Sequence, residues 1–280
     1  MPTRTNTVLL FSKVPETGLV KTRLSILKDG MFPPETAADL YRCMLLDVVE
    51  IICSALDDLE ARAVEANEAD RYELVVSTTP AENVPVMEKL LAAEGFSRPI
   101  TVIADEGDSF DAHYNHSFEQ CWDRGSDCIL SMGADMPALT KADVKYGFEQ
   151  LHKLFNMEGG GIVIAPDQEM GVSVIGWTRD THFDHCGVFY NPDGLTVLPA
   201  YIAKAREAGL PALWLPPIPD IDTMLDFFHN VTLVHALDYC SEFEDITPAR
   251  RTAAAFIDLG FKTIRVAPNT LHDPRDHIDK

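Results

Sequence analysis

"TVLLFSKVPETGLVKTRL", residues 7–24, reads as an apolar strand that runs directly into a turn-rich loop carrying Lys13, Gly18, Lys21 and Arg23. In an open α/β sheet, ligands sit beyond the carboxyl ends of the strands, and a loop there that leads to a helix offers backbone N–H groups to anions. Comparable β-rich runs recur at TVLLFSK (7–13), YELVVST (72–78), PITVIAD (99–105), DCILSMGAD (127–135), GIVIAPD (161–167) and ALWLPP (212–217). Longer helical patterns separate them, among them PETAADLYRCMLLDVVEIICSAL (34–56) and DGLTVLPAYIAKAREAG (193–209). That alternation predicts an α/β fold of three layers, a mostly parallel sheet with helices on both faces. Several of the runs are apolar throughout, as strands buried on both faces are. GVSVIGWT (171–178) reads as one more strand, joined to GIVIAPD through QEMG, which places an antiparallel pair within the sheet.

Why a chain with 44 Asp and Glu against 23 Lys and Arg, a formal net charge of -21, should gather cations in that loop is the functional question. The summed field repels polymeric nucleic acid and anionic membranes, both of which need a basic footprint, so neither is expected as a partner. A small anionic ligand is compatible wherever a local patch reverses the sign, and residues 11–24 are the candidate patch. Six cysteines without a CxxC pair read as reduced thiols, so a cytoplasmic location is expected. Apolar runs stop well short of the roughly 18 to 20 residues that span a bilayer. Neither a leader nor a membrane-inserted segment is therefore expected.

In the opening loop, Gly18 permits a close or left-handed backbone, and Lys13, Lys21 and Arg23 can spread positive charge over a polyphosphate. The spacing is not that of a P-loop, because GxxxxGK[ST] is absent. The ordinary alternative is a set of solvated cations beside a turn. Two acidic stretches bear on the choice. In ILSMGADMPALT, Asp135 ends an apolar strand, where a lone carboxylate can ligate Mg²⁺ held mostly by water and phosphates; Thr140 is the better cap for the following helix. In PPIPDIDTMLDF, Asp220 and Asp222 stand one residue apart and point the same way on an extended chain, which suits a shared cation; the alternative is a capping cluster at a helix start. Cations after the first strand together with carboxylates after two others describe a site for a nucleotide and Mg²⁺ (or Mn²⁺), in which the metal offsets the charge of the carboxylates.

FSKVPETGLVKTRL, GADMPALT and LPPIPDIDTMLDF, in this order and at this spacing, resemble a bacterial family of GT-A-like proteins that carry the label glycosyltransferase. That family lies in the nucleotide-diphospho-sugar transferase superfamily, near the molybdenum-cofactor and 2-phospho-lactate guanylyltransferases. The resemblance covers about residues 7 to 230 and implies a Rossmann-like sheet, a nucleotide across the first loop and a divalent metal on Asp135 and Asp222. It further implies that Lys21 and Arg23 act catalytically by stabilising charge on the α- and β-phosphates, with Lys13 as an added phosphate contact. Residues 1–230 would form the transferase domain. Residues 231–280 would be an extension, packed on it or at a dimer contact, with a helix from TPARRTAAAFIDLG capped by Thr247 and a short strand at KTIRV. The terminal PNTLHDPRDHIDK, polar and proline-containing, is expected to be loose or docked on a partner.

The chain departs from that family in two places. DQEMGVSVIG (167–176) has Met170 where similar sequences have the first glycine of an acidic-Gly-Gly stretch, and His113 lies near a place where relatives often carry Arg. His113 and His116 share a helix face with Asp111 nearby and at most line a groove, since Mg²⁺ prefers oxygen ligands. HFDHC (182–186) fits no zinc spacing and reads as a polar loop. Phe227, Phe228 and the three Trp read as packing residues, with Trp214 near the site. The leading reading is a Mg²⁺-dependent transferase moving a nucleotidyl group from an NTP to a small phosphorylated acceptor. It is favoured by the single Asp of Gly133-Ala134-Asp135, where glycosyltransferases of this fold carry D-x-D. Against it, the first loop lacks the GxGxR form of the nucleotidyltransferases. Glycosyl transfer from an NDP-sugar is the alternative, and a nucleotide-binding regulatory protein without turnover is the alternative from another class.

Overall fold

The computed structural model describes residues 4–265. Seven strands, β1 (Thr5–Phe11), β2 (Arg71–Thr78), β3 (Ile100–Ala104), β4 (Cys128–Gly133), β5 (Ile162–Pro166), β6 (Val172–Thr178) and β7 (Ala212–Trp214), form one sheet in the order β3-β2-β1-β4-β6-β5-β7. Every pairing is parallel except those of β6, which runs antiparallel to both β4 and β5. The antiparallel pair expected from GVSVIGWT is therefore present, and β6 also separates β5 from the rest of the parallel set. Gly176 permits that insertion: a Cβ there would lie 2.3 Å from the Ile129 carbonyl oxygen of β4, so no other residue fits between the two strands.

The helices are α1 (Pro34–Glu65), α2 (Val84–Ala92), α3 (Phe110–Asp123), α4 (Lys141–Phe155), α5 (Val197–Glu207), α6 (Met224–Cys240) and α7 (Arg250–Asp258). Strand alternation sends Val8 and Leu10 to one face and Leu9 to the other. On the first face they join α1, α2, α4, α6 and α7 in the larger core. On the second, Leu9 meets Phe118 of α3, Tyr201 of α5 and Trp177 of β6 in a smaller aromatic core. Helix starts follow their chemistry. Pro34 opens α1, Thr140 and Asp143 make a capping box on α4, and Thr223 and Asp226 make another on α6.

Register sets the functional edge. Phe11 pairs with Ser77 and with Gly133, and Thr78 with Ala104, so β1 to β4 finish level. Their loops open on one side, together with the ends of β5 and β7 and the start of β6.

The C-terminal segment differs from its sequence reading. α7 begins at Arg250 and has no side-chain cap of its own; Thr247 instead turns its hydroxyl to Ser54, 3.0 Å away. Asp47, buried in α1, does the capping: it accepts from the backbone N–H of Thr252 at 2.7 Å and of Arg251 at 3.2 Å. A carboxylate from another helix satisfies the free N–H groups, so Thr247 is released from that role. Residues 262–265 form no strand. Val266 and the PNTLHDPRDHIDK stretch lie outside the described residues.

Candidate functional site

A cleft of about 530 Å³ opens at the level strand ends. Its floor comes from the loops after β1 and β4, with Ser12, Lys13 and the segment Gly133–Met136; Asp220 and Asp222 close one side, and α3 with Phe189 and Tyr201 forms another.

On the acidic side two carboxylates, Asp135 and Asp222, hold one ammonium, and a third, Asp220, stands close by. Lys21 Nζ donates to Asp135 Oδ2 at 2.5 Å and to Asp222 Oδ1 at 2.9 Å, and its side chain is only 7% exposed. Arg23, exposed, reaches the other Asp222 oxygen at 3.3 Å. The two acidic loops are pinned together by the Ile221 N–H, which donates to the Asp135 carbonyl at 3.1 Å. Burial works against the Lys21 charge, but the attraction of Asp135 and then Asp222 overrides it and holds the ammonium above its ordinary range. Asp222 is correspondingly held down, chiefly by Lys21. Asp220 has no such partner. Burial first, then the charges of Asp135 and Asp222, push it up to about 7. Gln168 donates to its Oδ1 at 2.9 Å and to Asp226 Oδ1 at 2.7 Å, tying the β5–β6 loop to this cluster.

The far side is aromatic, with a single carboxylate–imidazole pair. Phe11 stacks on Tyr114 with centroids 3.8 Å apart, and Phe110 meets Phe189 edge-on. There His113 Nδ1 faces Asp105 Oδ1 at 2.6 Å, and Ser77 Oγ donates to Asp105 Oδ2 at 2.7 Å. A buried carboxylate accepting at that nitrogen fixes the ring's tautomer with the proton on Nδ1, which leaves Nε2 free to meet a ligand. Asp105 ends β3 as Asp135 ends β4. The same strand-end logic applies to PITVIAD, yet the sequence reading passed over Asp105, and it missed Ser77, Tyr41 and Gln168 as well. Tyr41 lines the cleft with its hydroxyl 2.9 Å from Ser12 Oγ.

The other sequence candidates fall as follows. Lys13 lines the cleft with its side chain exposed. Gly18 does adopt the left-handed region, φ +78°, but sits in the turn outside the cleft lining. Met170 also has φ +78°, so this chain holds a side chain where the backbone favours glycine. His116 turns away, accepting the Glu106 N–H at 2.9 Å. Trp214 is neither packing residue nor site residue: it is 56% exposed and does not line the cleft. HFDHC is not simply a polar loop, because His185 is fully buried among aromatic rings with Nδ1 2.7 Å from the Tyr201 hydroxyl. Burial, with help from Lys204, pushes that imidazole down to about 3.

Comparison with known structures adds the fold's identity. A candidate nucleotide-diphospho-sugar transferase from Desulfovibrio desulfuricans G20 matches with a TM-score of 0.66 at 23% identity, over 93% of this chain and 99% of its own. The chain carries the nucleotide-diphospho-sugar transferase fold. A cytidylyltransferase from Leptospira borgpetersenii serovar Hardjo-bovis (strain JB197) matches over 95% of this chain and 100% of its own, at a TM-score of 0.47 and 11% identity, too distant to bear on function. Residues 62–191 match the family described as an uncharacterized protein conserved in bacteria (DUF2064), a span that includes Asp135 but neither Lys21 nor Asp222. Comparison with curated proteins gives no match. Among the described residues no helix is long and apolar enough to cross a membrane.

In this nucleotide-diphospho-sugar transferase fold the residues present suit a divalent cation. Among the described residues no three His, Cys, Asp or Glu side chains gather as a ready-made metal cage. Two carboxylates do converge on one ammonium, with a third left short of positive charge. That oxygen-only pair matches Mg²⁺ or Mn²⁺, which keep water and substrate phosphates in their remaining positions.

Proposed function

We propose that the protein is a divalent-metal-dependent transferase with a nucleotide or nucleotide-sugar donor, and that it moves a nucleotidyl group from an NTP to a small phosphorylated acceptor. The observation that carries this reading is the Lys21 ammonium drawn between Asp135 and Asp222 at the edge of a cleft large enough for a nucleotide. On a chain of net charge -21, cations placed there serve a ligand more anionic than the surroundings.

Lys13, Lys21 and Arg23 would hold the polyphosphate and offset charge as it shifts to the leaving group. An acceptor phosphate oxygen bonds to the α-phosphorus, the bond to the β-phosphate breaks, and its electron pair leaves with pyrophosphate. Because the acceptor oxygen is already anionic, no base is needed, and positioning with electrostatic stabilisation supplies the rate. Asp135 and Asp222 would hold Mg²⁺ or Mn²⁺, which supplies further neutralisation of phosphate charge when bound. His113, oriented by Asp105, would hydrogen-bond the part of the ligand farthest from the phosphates.

Nucleotidyl transfer draws on the single Asp after β4, with the second carboxylate arriving from the β7–α6 loop. Glycosyl transfer draws on the aromatic wall of Phe110, Tyr114 and Phe189, a surface on which a sugar ring can pack. Isothermal titration with GTP, CTP, UDP-glucose and GDP-mannose, each with and without Mg²⁺, separates the two. Mg²⁺-dependent binding of one triphosphate supports nucleotidyl transfer and names the base. Preference for an NDP-sugar overturns it in favour of glycosyl transfer, and binding without turnover across an acceptor panel makes the protein a nucleotide-binding regulator.

A further inference from the structure

Lys21 occupies the space a divalent ion would need. Its Nζ lies 2.5 and 2.9 Å from the two carboxylate oxygens, and Mg²⁺ would take the same oxygens at about 2.0–2.1 Å. A metal set between those two oxygens competes with the ammonium for one position. The lysine is also placed there against its backbone preference: φ is +46°, in the left-handed region that disfavours a residue with a Cβ. A loop at the surface is thus bent so that one long side chain runs inward, while its neighbours Lys13 and Arg23 stay exposed.

We infer that Lys21 is a resident counter-ion that the divalent metal displaces and that is then handed to the donor's phosphates; the inference rests on the metal reading proposed above. In the metal-free protein the ammonium keeps Asp135 and Asp222 from repelling each other and preserves the site's shape. When metal enters, the unbranched stem lets the ammonium swing out, and the bent turn is freed to relax. A polyphosphate offers the displaced charge a new partner, so metal and donor bind with positive coupling, each raising the other's affinity by the same factor. Metal alone competes with an internal cation and binds weakly.

The test needs no turnover. Mn²⁺ is titrated into the wild-type protein and into Lys21→Met without nucleotide, with free Mn²⁺ read by electron paramagnetic resonance. The variant keeps the stem and loses the competitor, so it should bind Mn²⁺ about tenfold tighter. Equal or weaker affinity in the variant, with the wild type binding, overturns the exchange and leaves the metal reading standing. Absence of Mn²⁺ binding in both folded proteins overturns the metal reading and the exchange with it. A second measurement uses the wild type alone: acetylation of Lys21 by acetic anhydride, followed by mass spectrometry, should rise several-fold on Mn²⁺ saturation as the shielded amine is released. Unchanged labelling in the Mn²⁺-saturated protein overturns the exchange.

Discussion

Replacing Asp135 with Asn removes one of the two carboxylates that hold Lys21 and changes almost nothing in volume. At 2.5 Å and an effective dielectric of about 20, the gross attraction is roughly 6 to 7 kcal/mol. Most of it is spent on taking the pair out of water, since the side chains are 7% and 24% exposed. Breaking a buried pair from one side costs about 3–5 kcal/mol when the survivor is left alone. Lys21 is not left alone, because Asp222 remains at 2.9 Å, and Asp220 gains from the loss of a like charge. A net destabilisation of about 1–3 kcal/mol is therefore expected for the metal-free protein. Urea unfolding in the presence of chelator measures it. A double-mutant cycle with Lys21→Met should return a coupling of about 1.5–3 kcal/mol between the two residues. The same Asp135→Asn protein should lose Mg²⁺-dependent nucleotide binding while keeping its folded circular dichroism. A coupling below about 0.5 kcal/mol, or Mg²⁺-dependent binding unchanged in the variant, would refute the assignment of this cluster.

Arg23 touches Asp222 only at an exposed surface, so Arg23→Ala should weaken triphosphate binding by a modest factor, about two- to fivefold, and leave nucleoside binding alone. That loss should shrink as salt rises, and equal loss for nucleoside and triphosphate would assign the residue to structure. Met170→Gly should stabilise the protein by about 0.5–1 kcal/mol in urea unfolding, because relief of a left-handed φ outweighs the added chain entropy; Met170 is 63% exposed, so little packing is lost. Acid sensitivity follows from two imidazoles, His185 fully buried and His152 half-buried. Burial pushes His185 down to about 3, and burial with Arg4 pushes His152 down to about 4. Between those values and the ordinary His pKa the unfolded chain binds protons that the fold refuses, so stability falls as pH drops below about 6.5, by up to about 1.4 kcal/mol per pH unit for each His. His185→Phe should flatten that slope in unfolding measurements from pH 7 to 4, and an unchanged slope would mean that other groups govern it.

Seven strands, their alternation with helices and the side of the sheet on which the cleft opens were legible in the chain. Short apolar runs and their terminal residues are local signals, and strand ends such as GAD mark a position whatever the partners are. The caps at Thr140 and Thr223 were of the same kind, the first expected outright and the second as the alternative to a cation site on its acidic neighbours. Long-range choices were not legible. Nothing near Thr247 reveals that Asp47, some 205 residues away from Thr252, caps α7 instead. His185 looked polar because its sequence neighbours are, whereas its surroundings come from α3, β6 and α5. Asp105 carried the same strand-end mark as Asp135 and became visible as a site residue only once α3 brought His113 beside it.

Lys21, Arg23, Asp135, Asp220 and Asp222 could be named from the sequence, because a strand end or a glycine turn fixes where a side chain stands along its own segment. Their relation to one another came from packing. Lys21 lies 114 residues from Asp135 and 201 from Asp222, and spacing along a chain carries no distance once the chain folds back through a seven-stranded sheet. Sequence assigned the cations to a ligand and the carboxylates to a metal as separate tasks. Folding put them in contact, since carboxylates gathered at one strand edge demand a counter-charge and the nearest flexible ammonium answers it.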